Sequence, residues 1–245
     1  MRKHLGILFP KSKANLADPK ATHTPVKQPF NIDMALQRIG NAIKAFPKAA
    51  LFELHEQGFT SAFELLIACI ISIRTRDEVT VPAAQRLFKL ARTANAISQL
   101  SIEQIDGAIK PSMFHEAKAR QIQVITQCLV SEHGGLLPCN EEFIRSLHGV
   151  GPKCTNLVLG IACNEPRIGV DIHVHRVTNR WGYVSTISPD KTIAELETKL
   201  PRQYWVEINR LLVPFGKNIC SGLLPHCSIC PVLDMCQQVD VKAHR

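Results

Sequence analysis

From Asp33 onward, apolar residues recur at helical spacing. Phe63, Leu66, Ile67, Ile70 and Ile71 form one such set, and Ala119, Ile122, Ile125, Thr126 and Leu129 another. Residues three or four places apart share one face of a helix, so each set is a stripe that must be buried. No segment alternates convincingly with the period of two that marks a half-buried strand. Further helices are expected at 33–46, 49–56, 82–93, 102–110, 141–147, 153–163, 172–182, 190–199 and 203–214, joined by short connections containing Gly, Pro or Ser. There is no fixed-period repeat. The pattern therefore predicts a globular all-α protein and not a solenoid.

The 245 residues are 45% hydrophobic and 20% charged, which excludes wholesale disorder and collagen-like structure. That length accommodates one large domain or two small lobes. The longest apolar run, Leu65–Ile71, is far shorter than the roughly 20 residues that cross a bilayer, so no membrane span is expected. The formal charge is +8, but residues 1–30 contribute +5 of it through Arg2, Lys3, Lys11, Lys13, Lys20 and Lys27 against Asp18. Charge alone thus says little about a nucleic-acid partner for the folded body. With Pro10, Pro19, Pro25 and Pro29 among its lysines, this stretch reads as a flexible basic arm. Its apolar piece, Leu5–Phe9, is shorter than the core of a secretory signal, so a cytoplasmic location is expected, with organellar targeting by the arm left open.

Nine cysteines cannot all pair, and their distribution does not suit a secreted disulfide scaffold. Cys69, Cys128, Cys154 and Cys163 fall in apolar helical patterns and read as small core hydrophobes, while Cys139 stands apart. The remaining four, Cys220, Cys227, Cys230 and Cys236, form C-x6-C-x2-C-x5-C, with His226 beside one of them as a bystander. Four thiolates suit either a tetrahedral zinc or an iron–sulfur cluster, and the spacing alone does not choose.

The most informative stretch is Leu147-His148-Gly149-Val150-Gly151-Pro152-Lys153, between two amphipathic segments. It reads as helix, tight turn, helix. Gly149 and Gly151 permit φ > 0 around Val150 and leave main-chain amides uncovered, and Pro152 suits the first position of the next helix. Amides at a helix N-terminus attract phosphate, although an ordinary helical hairpin has the same punctuation. Lys153 sits in that first turn, where the helix dipole is expected to lower its pKa and expose a neutral amine. Eighteen residues on, Val170-Asp171-Ile172-His173 precedes another helix, and Asp171 has the chemistry of an N-cap as well as of a catalytic carboxylate.

These pieces together resemble the endonuclease III family of helix-hairpin-helix DNA glycosylases, whose signature is a Leu-Pro-Gly-Val-Gly hairpin, a lysine and then a Val-Asp-Thr-His segment. The resemblance spans about residues 31–240. It implies Lys153 as the nucleophile on the sugar C1′ and Asp171 as its catalytic carboxylate, facing each other across a cleft. Gly149, Val150 and Gly151 are implied to bind DNA, and the four clustered cysteines to hold a [4Fe-4S] cluster. His148 stands where proline is usual and Ile172 where threonine is usual. Arg74 occupies a position where these enzymes often carry glutamine, and its planar fork offers hydrogen bonds to an orphaned base. Phe114 falls where the family has an apolar wedge, and an aromatic ring there suits intercalation.

The resemblance further implies two helical lobes, one at about 55–165 with the hairpin, the other from 31–54 plus 166–245 with the cluster. The implied activity is base excision with AP lyase cleavage of double-stranded DNA holding damaged bases, oxidised pyrimidines first among them, or abasic sites. A monomer is expected, nucleoid-associated if the source is bacterial. Lys217, near the cysteine loop, is expected to meet phosphate. Two alternatives stand beside this reading: mismatch or adenine excision on the same scaffold, and a non-catalytic DNA-binding protein with structural zinc.

Overall fold

Asn31, Ser61, Thr93, Ser101, Asn140, Asp171 and Ser188 each accept a hydrogen bond from a main-chain N–H two or three residues on, and a helix begins after each. These short polar side chains satisfy amides that have no partner inside the helix. The computed structural model describes residues 27–245, and among these it has twelve α-helices and no strand. They are α1 (Ile32–Ala42), α2 (Ala50–Glu56), α3 (Ala62–Ser72), α4 (Asp77–Leu90), α5 (Ala94–Ile97), α6 (Ile102–Ile109), α7 (His115–His133), α8 (Glu141–Ser146), α9 (Pro152–Ala162), α10 (Ile172–Trp181), α11 (Pro189–Lys199) and α12 (Glu207–Asn218). No helix among the described residues is long and apolar enough to cross a membrane.

Two hydrophobic clusters organise these helices. The first is built by α2 through α9 around α3, whose residues Phe63–Ile71 are buried on every side by α2, α4, α7 and α9. A helix apolar all round has to be a core helix, which is where the longest apolar run of the sequence goes. The second cluster joins α1, α10, α11 and α12 to Val232, Met235 and Cys236 of the C-terminal loop, with Trp181 and Phe215 fully buried. Val213 of α12 packs in the first cluster while Leu212 and Phe215 pack in the second, so α12 bridges them.

Several boundaries differ from the reading of the sequence. Helix α2 buries Leu51, Phe52 and Leu54 against α3 and α4, so the chain passes to the first cluster before residue 50 and not at 55. Helix α4 starts at Asp77, five residues before Pro82, because Asp77 and Glu78 complement the positive helix end and Thr80 and Val81 are buried. Helix α12 runs through Pro214 to Asn218, carried by the burial of Leu211, Leu212 and Phe215. Residues 27–30, taken as part of the basic arm, are anchored: Lys27 Nζ donates to Leu233 O at 2.7 Å, Gln28 N to Asp234 O at 2.9 Å, and Phe30 lies 5.1 Å from the Trp181 ring. Residues 1–26 of that arm lie outside the described residues.

Cys69 and Cys154 are buried as expected of core hydrophobes, and Cys128 is half-buried. Cys163 is not free. It ends α9 at the edge of the first cluster and is disulfide-bonded to Cys139, with Cα atoms 6.0 Å apart, within bridging range.

Candidate active site

The turn between α8 and α9 is the expected hairpin, but only one of its glycines is left-handed. Gly149 has φ +71°, and a Cβ there would stand 2.7 Å from Gln121 Nε2, whose amide donates to His148 O. Gly151 is extended at φ −104°, and a Cβ there would meet nothing within 4 Å. Val150 is buried and anchors the turn, its N–H donating to Leu147 O. The main-chain N–H groups of Gly149 and Gly151 have no acceptor among the described residues. Pro152 takes the first helical position, and Lys153 follows in the first turn of α9.

Asp171 arrives by a different route. After α9 the chain runs as a strap whose carbonyls are fixed by two buried amides: Asn156 Nδ2 donates to Ile168 O and Asn209 Nδ2 to Gly169 O, both at 2.9 Å. Gly169 is required there because a Cβ would stand 2.5 Å from Leu157 Cδ2. The strap ends at Asp171, whose Oδ1 accepts from the N–H groups of His173 and Val174 at 2.9 Å. Capping and facing the site coexist in this residue. Oδ2 has no hydrogen bond among the described residues, and Asp171 lines the same cleft as Lys153.

That cleft has a volume of about 670 Å³ and lies between the two clusters. Its walls come from the α3–α4 connection, the hairpin turn with the start of α9, the start of α10, and Val213 with Lys217 of α12. Arg74, Gly149 and Gly151 all border it. Phe114 stands outside the lining but meets Arg74, whose guanidinium carbon is 5.8 Å from the Phe114 ring centre. Ile172, the departure beside Asp171, is 61% exposed at the cleft wall.

The electrostatics correct one expectation. Burial draws the Lys153 amine down, but the sulfurs of Cys69 and Cys154 and the carboxylates of Asp171 and Asp77 more than offset it, and the net direction is up. The helix dipole is outweighed by nearer groups. Cys69 is itself lowered to about 7, chiefly by the hydrogen bond from Cys154, and Cys154 is raised in turn. Asp77 and Cys154, both on the cleft wall, are site residues that reading the sequence missed. Cys154 was hidden by its apolar pattern, and the one local signal for Asp77 was an acidic residue at a helix start. Lys217 is also reassigned: its ammonium bonds Asp77 and Glu78 at the cleft and is not a free phosphate ligand.

Cys220, Cys227, Cys230 and Cys236 line a common cavity with Trp181, Leu233 and His226. Arg180 Nη1 lies 3.5 Å from Cys220 Sγ and Gln238 N donates to Cys236 Sγ at 3.4 Å, contacts that favour thiolate sulfur. Burial pushes the Cys230 thiol up to about 12. Among the described residues no three His, Cys, Asp or Glu converge on a single-ion position.

Residues 67–202 match the family described as HhH-GPD superfamily base excision DNA repair protein. The chain is 36% identical over 195 residues to an Endonuclease III of Thermotoga maritima, covering 80% of this chain and 88% of that protein. It is 38% identical over 183 residues to the chloroplastic Endonuclease III homolog 2 of Arabidopsis thaliana, covering 71% of this chain but only 47% of the plant protein. Among solved structures, a trapped Endonuclease III–DNA covalent intermediate superposes with a TM-score of 0.74 at 27% identity, over 84% of this chain and 94% of the other. The hairpin, the cleft and these likenesses agree, and the chain belongs to the endonuclease III family within the HhH-GPD superfamily of base excision DNA repair proteins.

Proposed function

We propose that this chain is a DNA glycosylase with AP lyase activity that excises damaged bases, oxidised pyrimidines foremost, from double-stranded DNA, with Lys153 as nucleophile and Asp171 as its carboxylate partner. One observation carries the assignment of roles: an amine from the hairpin helix and a carboxylate from the strap open on one cleft although they belong to different clusters. The free amides of Gly149 and Gly151 at the start of α9 suit a DNA phosphate, and the open space at Gly151 allows its close approach. Arg74 and Phe114, exposed side by side, suit the gap left by an extruded nucleotide.

The lesion leaves the stack at a cost of a few kcal/mol and enters the cleft. Lys153 must first lose a proton, because its ammonium form is favoured. The neutral amine bonds to C1′ as the glycosidic bond breaks and the base departs with the electron pair. Asp171, with Oδ2 uncommitted, stabilises the positive sugar and carries protons. In the ring-opened Schiff base, loss of a C2′ proton expels the 3′ oxygen and cuts the strand, and water then releases Lys153.

The cysteine site suits a [4Fe-4S] cluster: the four cysteines line one cavity, and N–H groups are directed at two of their sulfurs. When bound, the cluster supplies folding free energy and shape to the C-terminal loop.

Borohydride trapping on oligonucleotides carrying thymine glycol, uracil, mismatched thymine, adenine opposite 8-oxoguanine, or an abasic site tests this reading. Oxidised pyrimidine and abasic strands are expected to give a covalent adduct that Lys153→Ala abolishes. A Lys153→Ala protein that still traps and still cuts would overturn the assignment of the nucleophile.

A further inference from the structure

Arg74 and Phe114 share an unusual backbone. Their φ angles are +53° and +57°, the left-handed region that a non-glycine residue seldom adopts. Such a conformation persists where the surroundings over-determine it. Both side chains are exposed and touch each other, so the cause lies beneath them.

Beneath them is Lys118, only 4% exposed although it is a lysine. Its ammonium donates to Ile71 O at 2.6 Å, to Ile73 O at 2.7 Å and to Thr75 Oγ1 at 3.0 Å. A cation at the C-terminal end of α3 is favoured by the helix dipole and satisfies carbonyls that have no partner inside the helix. The bonds fall on both sides of Arg74 in the chain. Lys118 also belongs to the first turn of α7, where its own N–H donates to Phe114 O at 3.0 Å. Thr75 closes the loop: its hydroxyl oxygen accepts from Met113 N at 3.1 Å, joining the residue after Arg74 to the residue before Phe114. Burial draws the Lys118 amine down to about 8, so at neutral pH the ammonium keeps all three donors.

We propose that Lys118 is a positioning residue that locks Arg74 and Phe114 into a single unit for filling the DNA gap and reading the opposing base, without itself touching DNA. This rests on the reading that Arg74 and Phe114 enter the duplex. An apolar side chain at 118 leaves two helix-end carbonyls unpaired and frees both left-handed residues to relax, which separates the wedge from the arginine.

The test compares Lys118→Met, Thr75→Val, Arg74→Ala and Phe114→Ala in the full chain. Excision of one oxidised pyrimidine is measured opposite each of the four bases, beside trapping at a preformed abasic site and the melting temperature. Lys118→Met and Thr75→Val are expected to lower excision about tenfold to a hundredfold and to level the four opposing bases, while abasic trapping stays within about threefold, since only reading geometry is lost. A purely structural role would lower excision and trapping together and leave the ratios among opposing bases intact, and that result overturns the proposal. Should Lys118→Met fail to fold, Thr75→Val decides, because it keeps the two carbonyl bonds. If Arg74→Ala and Phe114→Ala leave excision and opposing-base ratios unchanged, it is the underlying reading of those two residues that fails. If those two variants act while Thr75→Val and Lys118→Met behave as the parent, Lys118 is not the positioning residue.

Discussion

Lys217 Nζ of α12 lies 3.0 Å from Asp77 Oδ2 and 3.1 Å from Glu78 Oε1, which joins the second cluster to the start of α4 across the cleft. Burial draws the Lys217 amine down, but Asp77 and Glu78 more than offset it and the net direction is up. Glu78 is lowered, first by its own main-chain hydrogen bond and then by Lys217. A raised lysine stabilises the fold below its unfolded pKa, and a lowered carboxylate does so above its own. The stability difference between the parent and Lys217→Met should therefore be about 1–2 kcal/mol and level from about pH 5 to pH 9, shrinking below about pH 4. Urea melts across that range measure it, and a difference that persists at pH 3 would contradict it.

The upward direction at Lys153 makes deprotonation part of the cost of attack. Single-turnover trapping at an abasic site should rise by up to about tenfold per pH unit from pH 6 to pH 8, with no plateau. Cys69→Val removes the sulfur that acts most strongly to raise the amine, and because that thiol is held near 7, its profile should part from the parent's above about pH 7, with faster trapping than the parent at pH 8 and little difference at pH 6. An unmoved profile would show that Cys69 carries no charge beside Lys153.

The two hairpin glycines should separate folding from binding. Gly149→Ala places a Cβ at φ +71° and against Gln121, so a loss of about 1–2 kcal/mol in stability is expected. Gly151→Ala faces open space and should leave the melting temperature unchanged while weakening DNA binding at every salt concentration. Calorimetry and a salt titration of DNA affinity distinguish them. Equal thermal losses would mean that Gly151 is needed by the fold and not by a phosphate.

Removing one thiolate should dismantle the C-terminal loop. Between Cys220 and Cys236 the buried apolar side chains are few, Val232 and Met235 chief among them, so on the proposed reading the loop would take its shape from a [4Fe-4S] cluster. Cys227→Ser is expected to lose iron, the broad visible absorbance and solubility together. A soluble variant without iron that kept the parent's melting temperature would refute the structural role proposed for the cluster.

Local chemistry was written in the sequence by itself: the apolar stripes, the N-cap chemistry of Asp171, the hairpin turn and the lysine after it all act over three or four residues. The reach of a side chain and the pitch of a helix confine such signals to one turn, so order along the chain is enough to read them. Resemblance carried the reading further, to Asp171 and the clustered cysteines, but not to their surroundings. Only the tertiary structure decided that Asp171 caps α10 while opening on the cleft, that Cys139 meets Cys163, that α2 joins the first cluster, that Cys69 and Cys154 lie close enough to Lys153 to raise its amine, and that Lys217 is tied to Asp77 from 140 positions away. Each depends on groups far apart in sequence brought together by burial of the two cores, where Coulomb and desolvation effects are set by neighbours that no local pattern names.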